Sequence, residues 1–292
     1  MDFIETLISG LSIGSTYAMI ALGYTMVYGI AKMLNFAHGD IIMVGGYMIY
    51  LTVTSAISNP FISLAIAVVV CTVFGITIEK VAYKPLRGAS PLAVLITAIG
   101  MSYLLQSTAQ IVFGSAPKMV IVADYGNIDF AGKLQIPVYT VITLVCSVII
   151  MAALNLFVKY TKTGRAMIAV SEDRGAAQLM GINVNAIITI TFAIGSALAA
   201  FAGFFMLMKS PSLTNTLGAM PGIKAFTAAV IGGIGSIPGA MTGGILMGVV
   251  EAISLKIQPI APYTDAIEFL ILIIILLFKP TGILGKVRKE KV

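Results

Sequence analysis

Charge is scarce in this chain. Only 10% of its residues are Asp, Glu, Lys or Arg, against about 25% in a soluble globular domain. That argues against a water-soluble enzyme or binding module and places the chain in lipid. Metal ligands are scarcer still. One histidine, His38, and two cysteines, Cys71 and Cys146, make no metal site. Both cysteines fall inside apolar runs and read as small buried residues, not as a disulfide or metal pair. A basic leader is missing too. The chain opens Met1-Asp2-Phe3-Ile4-Glu5, acidic where a secretory signal is basic. The expectation is that nothing is cleaved and the first span is its own insertion signal. No polar stretch is long enough for a soluble domain, and no soluble-type repeat or low-complexity segment is visible.

What is present is apolar. Hydrophobic residues make up 59% of the chain and the mean hydropathy is +1.02. One membrane span takes roughly 20 apolar residues. The runs fall near 6–30, 40–58, 61–82, 91–113, 138–158, 186–208, 225–254 and 264–279. The fold class that follows is all-α. It is a polytopic transmembrane bundle of about eight segments, one membrane domain over 1–292. The net charge of +6 sits in short scattered loops, so it encodes topology and not a nucleic-acid surface. Lipid is the expected surrounding and nucleic acid is not an expected partner.

Lysine and arginine bias sets the orientation. With the N-terminus outside, the inside segments hold Lys32, Lys80, Lys84, Arg87, Lys159, Lys162, Arg165, Arg174 and the five cations from Lys279 onward. The outside segments hold Lys118, Lys133, Lys209, Lys224 and Lys256. That is thirteen cations inside and five outside. Parity then requires that one of the last three runs does not cross. The run 225–254 is too long for a simple span and is interrupted by Gly232-Gly233-Ile234-Gly235-Ser236-Ile237-Pro238-Gly239. It is predicted to be broken or re-entrant: a half-helix in from outside, a turn at depth, and a return outward. Irregular backbone at membrane depth survives only against protein or a water-filled cavity, so Gly233, Gly235, Ser236 and Gly239 are candidate pathway residues. Gly235, Gly239 and Gly243, and also Gly244 and Gly248, recur every four residues, the spacing of close helix packing.

A second interruption, Asn35-Phe36-Ala37-His38-Gly39-Asp40, precedes the run IIMVGGYMIYL. Three readings stand side by side. Asp40 caps the following helix while His38 bonds a backbone carbonyl. Or the His–x–Asp pair is a proton relay. Or Asn35 and His38 line a passage, with Asp40 beside them. Gly45-Gly46 and Gly243-Gly244 each follow an interruption, at unequal spacings, which suggests the inverted repeat that many transporters use. Glu251 and Glu268 fall in apolar runs near span ends. They read as carboxylates that reach the interface or bond a neighbouring helix.

The longest polar interruption is 159–185, between two long apolar runs. Ser171 is expected to cap a short helix, with Glu172 and Asp173 at its positive end. Gly181 is a natural stop. Ala176 and Ala177 offer a smooth face, and Leu179, Met180 and Ile182 an apolar knob. A lever seated in a partner's groove and a helix lying on lipid both fit these residues.

GRAMIAVSEDRGAAQLMGINV resembles the cytoplasmic coupling loop of ABC-importer permeases, most of all the branched-chain amino acid permeases of the LivH type. GLSIGSTYAMIALGYTMVYGI, LNFAHGDIIMVGGY and AFTAAVIGGIGSIPGAMTGG carry the same resemblance in order, from residue 10 to 248. It implies a plasma-membrane transport subunit that performs no bond chemistry and binds no cofactor. ATP and Mg would sit on two separate ATPase subunits. A second, LivM-like permease would complete the pore, and a binding protein outside would deliver leucine, isoleucine or valine. Docking onto the ATPase would fall on Arg165, Glu172, Asp173, Ala176, Ala177 and Gly181. Gly175 departs from the larger, often acidic residue expected there. The alternatives are a proton-coupled carrier with His38, Asp40, Glu251 and Glu268 as relay, and a passive channel for a small neutral solute such as urea.

Overall fold

The computed structural model describes residues 2–55, 59–122, 126–130 and 134–285. Lys133 and the cations Lys286, Arg288, Lys289 and Lys291, which entered the charge tally, lie outside the described residues. The described chain is helical almost throughout: α1 (Asp2–Ala31), α2 (His38–Thr54), α3 (Pro60–Ile78), α4 (Pro91–Phe113), α5 (Val138–Tyr160), α6 (Lys162–Glu172), α7 (Arg174–Leu179), α8 (Val184–Lys209), α9 (Ala219–Gly232), α10 (Ile237–Lys256) and α11 (Thr264–Phe278). A π-turn and a 3-10 turn extend α3 through Leu86. Seven of the helical stretches are long and apolar enough to cross a membrane, and α9 is a shorter apolar helix.

Helix starts follow local chemistry. Asn59 accepts from Phe61 N–H with Pro60 next in line, and Ser90 accepts from Ala93 N–H ahead of Pro91. Asn183 and Ser236 do the same for α8 and α10. Each short side chain satisfies an N–H that the first turn leaves unpaired, and proline loses nothing there.

Four short strands depart from the all-helical expectation. β1 (Lys118–Met119) pairs antiparallel with β4 (Ser212–Leu213), and β2 (Asn127–Phe130) pairs antiparallel with β3 (Leu134–Pro137). They tie the connections of one face together, where chain ends leaving helices have free backbone groups.

Burial does not follow apolarity. α1 is the least apolar of the seven stretches and the most buried, at 72%, whereas α3 and α5, the most apolar, are 28% and 22% buried. Lipid is as apolar as leucine, so oily helices gain little by turning inward, while small residues let backbones meet. α1 and α10 do this antiparallel. A Cβ on Gly10 would lie 2.9 Å from Val249 Cα, and one on Gly14 2.7 Å from Ile245 Cα. Gly244 rests on Ala18 and Gly248 on Gly14, while Gly239 and Gly243 rest on α9 at Gly232 and Ala228. The four-residue glycine spacing therefore serves two contacts, one on each flank of α10.

The contacts sort the loops into two faces. Gln135 N–H reaches Glu5, so the β2–β3 hairpin shares the face of the N-terminus. On the opposite face, Arg174 reaches the end of α1, Gly29 meets Gly235, and Ile283 N–H bonds Ile231 O. The segment 159–185, the break at 233–236 and the end of α11 thus share one face; parity required this of 159–185 and the end of α11 alone. The turn differs from expectation in depth. α9 starts earlier than 225, and the break that follows it meets Gly29 in the last turn of α1, so the break lies at the far face and not midway. Its start is the deep part. Gly218 packs on Gly39 and Ile42, and the neighbouring His38 stands against Gly23 and Tyr24, in the body of α1. α2 and α9 therefore both begin inside the bundle, side by side, and run apart.

Candidate functional site

The segment 159–185 folds as two helices. Thr161 caps α6 by accepting from Gly164 N–H at 3.0 Å. Gly164 lets α6 turn back on Val158 at close range. α6 buries Met167 and Val170 and exposes Arg165 and Glu172. The expected cap, Ser171, lies inside the last turn of α6 and donates to Ile168 O at 2.7 Å. Asp173 caps α7 instead, accepting from Ala176 N–H at 2.9 Å. An ionised cap is the stronger acceptor at a positive helix end. The stop at Gly181 is as expected. Its φ is 81°, and Ile182 N–H closes on Ala177 O at 3.0 Å, the bond that seals a helix ending in a left-handed residue.

The exposed tip is apolar: Leu179 is 90% exposed and Met180 82%. Ala176 shares that exposed surface, but Ala177 is only 4% exposed and packs inward. The smooth two-alanine face is therefore one alanine wide. A six-residue helix shows one side outward, and the adjacent position turns roughly 100° away.

The break between α9 and α10 is built from glycines at positive φ, Gly233 at 106° and Gly235 at 93°. Ser236 then caps α10 by accepting from Gly239 N–H at 3.2 Å. The last carbonyls of α9 find partners after α11: Ile283 N–H bonds Ile231 O at 2.8 Å and Leu284 N–H bonds Gly232 O at 2.9 Å. A cavity of about 920 Å³ opens beside the break. Gly29, Met167, Glu172, Gly235 and Ser236 line it, so α6 and the broken loop share one hollow. Gly233 and Gly239 are packing contacts instead, against Gly285 and Gly232.

Asn35, His38 and Asp40 are all buried, and none lines that cavity. Asn35 accepts from the Tyr83 hydroxyl at 2.8 Å. His38 bonds the Ile20 carbonyl and lies edge-on to Tyr24, ring centres 4.8 Å apart. Asp40 does not cap α2, whose N-cap Ala37 offers no side-chain bond; it accepts from Gln106 at 2.8 Å. The carbonyl partner expected for His38 is present, and the expected cap is not. A polar side chain inside a bundle takes the nearest donor, here on α4. The three residues hold α2 to its neighbours.

Two buried ionic groups escaped the sequence reading. Lys224, counted above among the cations of the outside segments, sits in α9 at 7% exposure. Its ammonium lies 2.8 Å from Asp265, 3.3 Å from Glu268 and 3.4 Å from Glu251. The Tyr17 hydroxyl donates to Glu251 at 2.6 Å. The expectation that Glu251 and Glu268 bond a neighbouring helix holds. The carboxylates of the relay set bond Lys224 and Tyr17, whereas His38 and Asp40 bond Ile20 and Gln106, so the four do not form one chain. The second group is Glu79, fully buried, which pairs with Arg87 and accepts from Thr189 at 2.8 Å. The only signal for either was an acid or lysine flanked by apolar residues.

Comparison with known proteins bears on this arrangement. Residues 6–276 match the family model described as the permease component of the branched-chain amino acid transport system. The chain is 44% identical to the high-affinity branched-chain amino acid transport system permease protein BraD of Pseudomonas aeruginosa, over 99% of this chain and 98% of that one. It is 40% identical to LivH of Escherichia coli over the same shares, and 30% identical to a probable LivH of Methanocaldococcus jannaschii over 91% and 88%. Among solved structures, PsaBC from Streptococcus pneumoniae in complex with Fab matches with a TM-score of 0.50 and 14% identity, covering 95% of this chain and 91% of that chain. At that identity the likeness concerns the fold alone. With full-length relatives at this level and a polytopic bundle of the expected kind, the chain belongs to the family of branched-chain amino acid transport permease components.

Proposed function

We propose that this chain is one permease subunit of an ATP-driven importer that carries branched-chain amino acids inward. The N-terminus faces outside, and the face bearing α6, α7, the break and the end of α11 is cytoplasmic. A second permease completes the pore. Two ATPase subunits bind ATP and Mg, one of them gripping α7, and an external binding protein delivers the solute. The relatives' names give branched-chain amino acids as the solute, and leucine, isoleucine and valine are the substrates proposed here.

The observation that carries this reading is the tip of α7. Leu179 and Met180 stand exposed at the end of a helix capped at both ends. An isolated helix of one or two turns does not hold itself together in water, so the two caps and the inward Ala177 keep an apolar knob in a defined place. Exposed apolar side chains held together in this way mark an interaction site. The lysines and arginines on the same face support its cytoplasmic placement.

The test is reconstitution of the full complex in proteoliposomes with the binding protein and labelled leucine. ATP on the ATPase side with no proton gradient should drive accumulation. Uptake by this chain alone, driven by a proton gradient and without ATPases, would overturn the proposal in favour of a carrier.

A further inference from the structure

The last carbonyls of α1 are a problem that the chain solves at long range. A helix leaves its final four C=O groups without partners of its own. In α1, Tyr28 O is taken by Lys32 N–H at 2.9 Å. Ile30 O and Ala31 O are taken by one nitrogen of Arg174, at 3.1 Å for Ile30. Arg174 is the first residue of α7, more than 140 positions along the chain. A guanidinium there also meets the negative end of the α1 dipole. Lys32, just after, holds a left-handed φ of 52°, unusual for a residue with a side chain. The end of α1 is thus fixed in place by a residue of the exposed α6–α7 segment.

One residue back from those carbonyls, Gly29 faces the break. A Cβ on Gly29 would lie 3.3 Å from Gly235 Cα, and both residues line the 920 Å³ cavity. α7, Arg174, the end of α1 and the broken loop are therefore contiguous. We infer that Arg174 is a positioning residue that carries displacement of α7 to the end of α1 and so to the cavity wall at Gly235. The inference rests on the transport reading above. It deepens that reading by naming the side chain that links the docking helix to the broken element. The acceptors are neutral carbonyls. The tether can therefore slip or re-form without stranding a buried carboxylate, as a moving joint requires.

Capping alone would also explain the contact, so the test must separate the two. Arg174→Met keeps length and removes the donors, while Arg174→Lys keeps charge and one point of attachment. Both are assembled into the full complex with the second permease, the ATPases and the binding protein. Leucine uptake and ATP hydrolysis are measured in the same vesicles. Arg174 points to the end of α1 and away from the exposed tip at Leu179 and Met180, so Arg174→Met is expected to assemble and to hydrolyse ATP close to the wild-type rate. Uptake per ATP should fall by roughly tenfold or more, the scale of losing one charge-assisted hydrogen bond. Arg174→Lys should fall in between, which also serves if the methionine variant fails to fold. Uptake and hydrolysis falling in the same proportion, or an unchanged ratio in the lysine variant, would overturn the inference. A wild-type complex with no ATP-driven uptake at all would overturn the transport reading itself.

Discussion

The ammonium of Lys224 lies 3.3 Å from a carboxylate oxygen of Glu268, a side chain with no solvent exposure. The pair joins α9 to α11, and Glu251 extends the junction to α10, whose Gly248 packs on α1. The short helix that leads into the break is thereby held by α10 and α11, independently of the glycines that pack its length.

Breaking a buried ion pair from one side costs about 3–5 kcal/mol, because the remaining charge has no partner. Lys224→Met is therefore expected to lower the melting temperature of the detergent-solubilised protein and its yield. Adding Glu268→Leu should restore part of the loss, since it removes the fully buried carboxylate, while Glu251 keeps the Tyr17 hydroxyl as donor and Asp265 is half exposed. A single Lys224→Met variant as stable as the parent would show that the pair contributes nothing.

The glycines divide into two kinds. Gly248→Leu drives a side chain into the backbone of Gly14, with Gly10 O only 2.6 Å from its first carbon. No folded protein is expected in the membrane. Gly235→Ala meets only Gly29 Cα, at 3.9 Å, and bears a left-handed φ costing roughly 1–2 kcal/mol. It should reach the membrane at the parental level with impaired uptake. Immunoblots of membranes and transport assays on both variants decide this, and equal abundance of the two would refute the distinction.

At the tip of α7, Leu179→Ala with Met180→Ala should weaken association with the ATPase subunits by about 2 kcal/mol, roughly thirtyfold in affinity. Neither side chain supports the fold, so abundance should not change. Ala177→Glu is a different case. Ala177 is buried, and a carboxylate there lacks a partner, so the variant should lose the α6–α7 fold and abundance together. Co-purification at fixed membrane abundance separates the two outcomes.

Orientation can be read with single cysteines after Cys71→Ala and Cys146→Ala. Met180→Cys should resist a membrane-impermeant thiol reagent in intact cells and react after lysis. Tyr263→Cys, exposed at the start of α11 on the face of the N-terminus, should react in both. The reverse pattern would invert the topology proposed here.

Much of this is legible in the sequence. Apolar runs of one length mark spans, since a bilayer has one thickness. Gly-Pro interruptions mark where a helix cannot continue, and the parity of the cations requires that one of the last three runs does not cross. Gly181 as a stop and the four-residue glycine spacing were equally local and equally readable. The cap of α7 is not decided locally, because Ser171 and Asp173 are both good caps, and only the extent of α6 chooses between them. Ala177 was misread because the inward side of a one-turn helix depends on what lies beneath it.

The sequence by itself determined the class, the number of apolar segments, the break and the exposed charged loop. Each of these depends on composition or on neighbours within a few residues. Tertiary structure decided that the least apolar span is the most buried, that Lys224 and Glu79 find partners in distant helices, and that Arg174 closes the end of α1. In lipid, hydropathy says that a helix enters the membrane but not which side of it faces protein. That choice is made by close backbone approach and by pairing of polar groups, between residues that the chain places far apart.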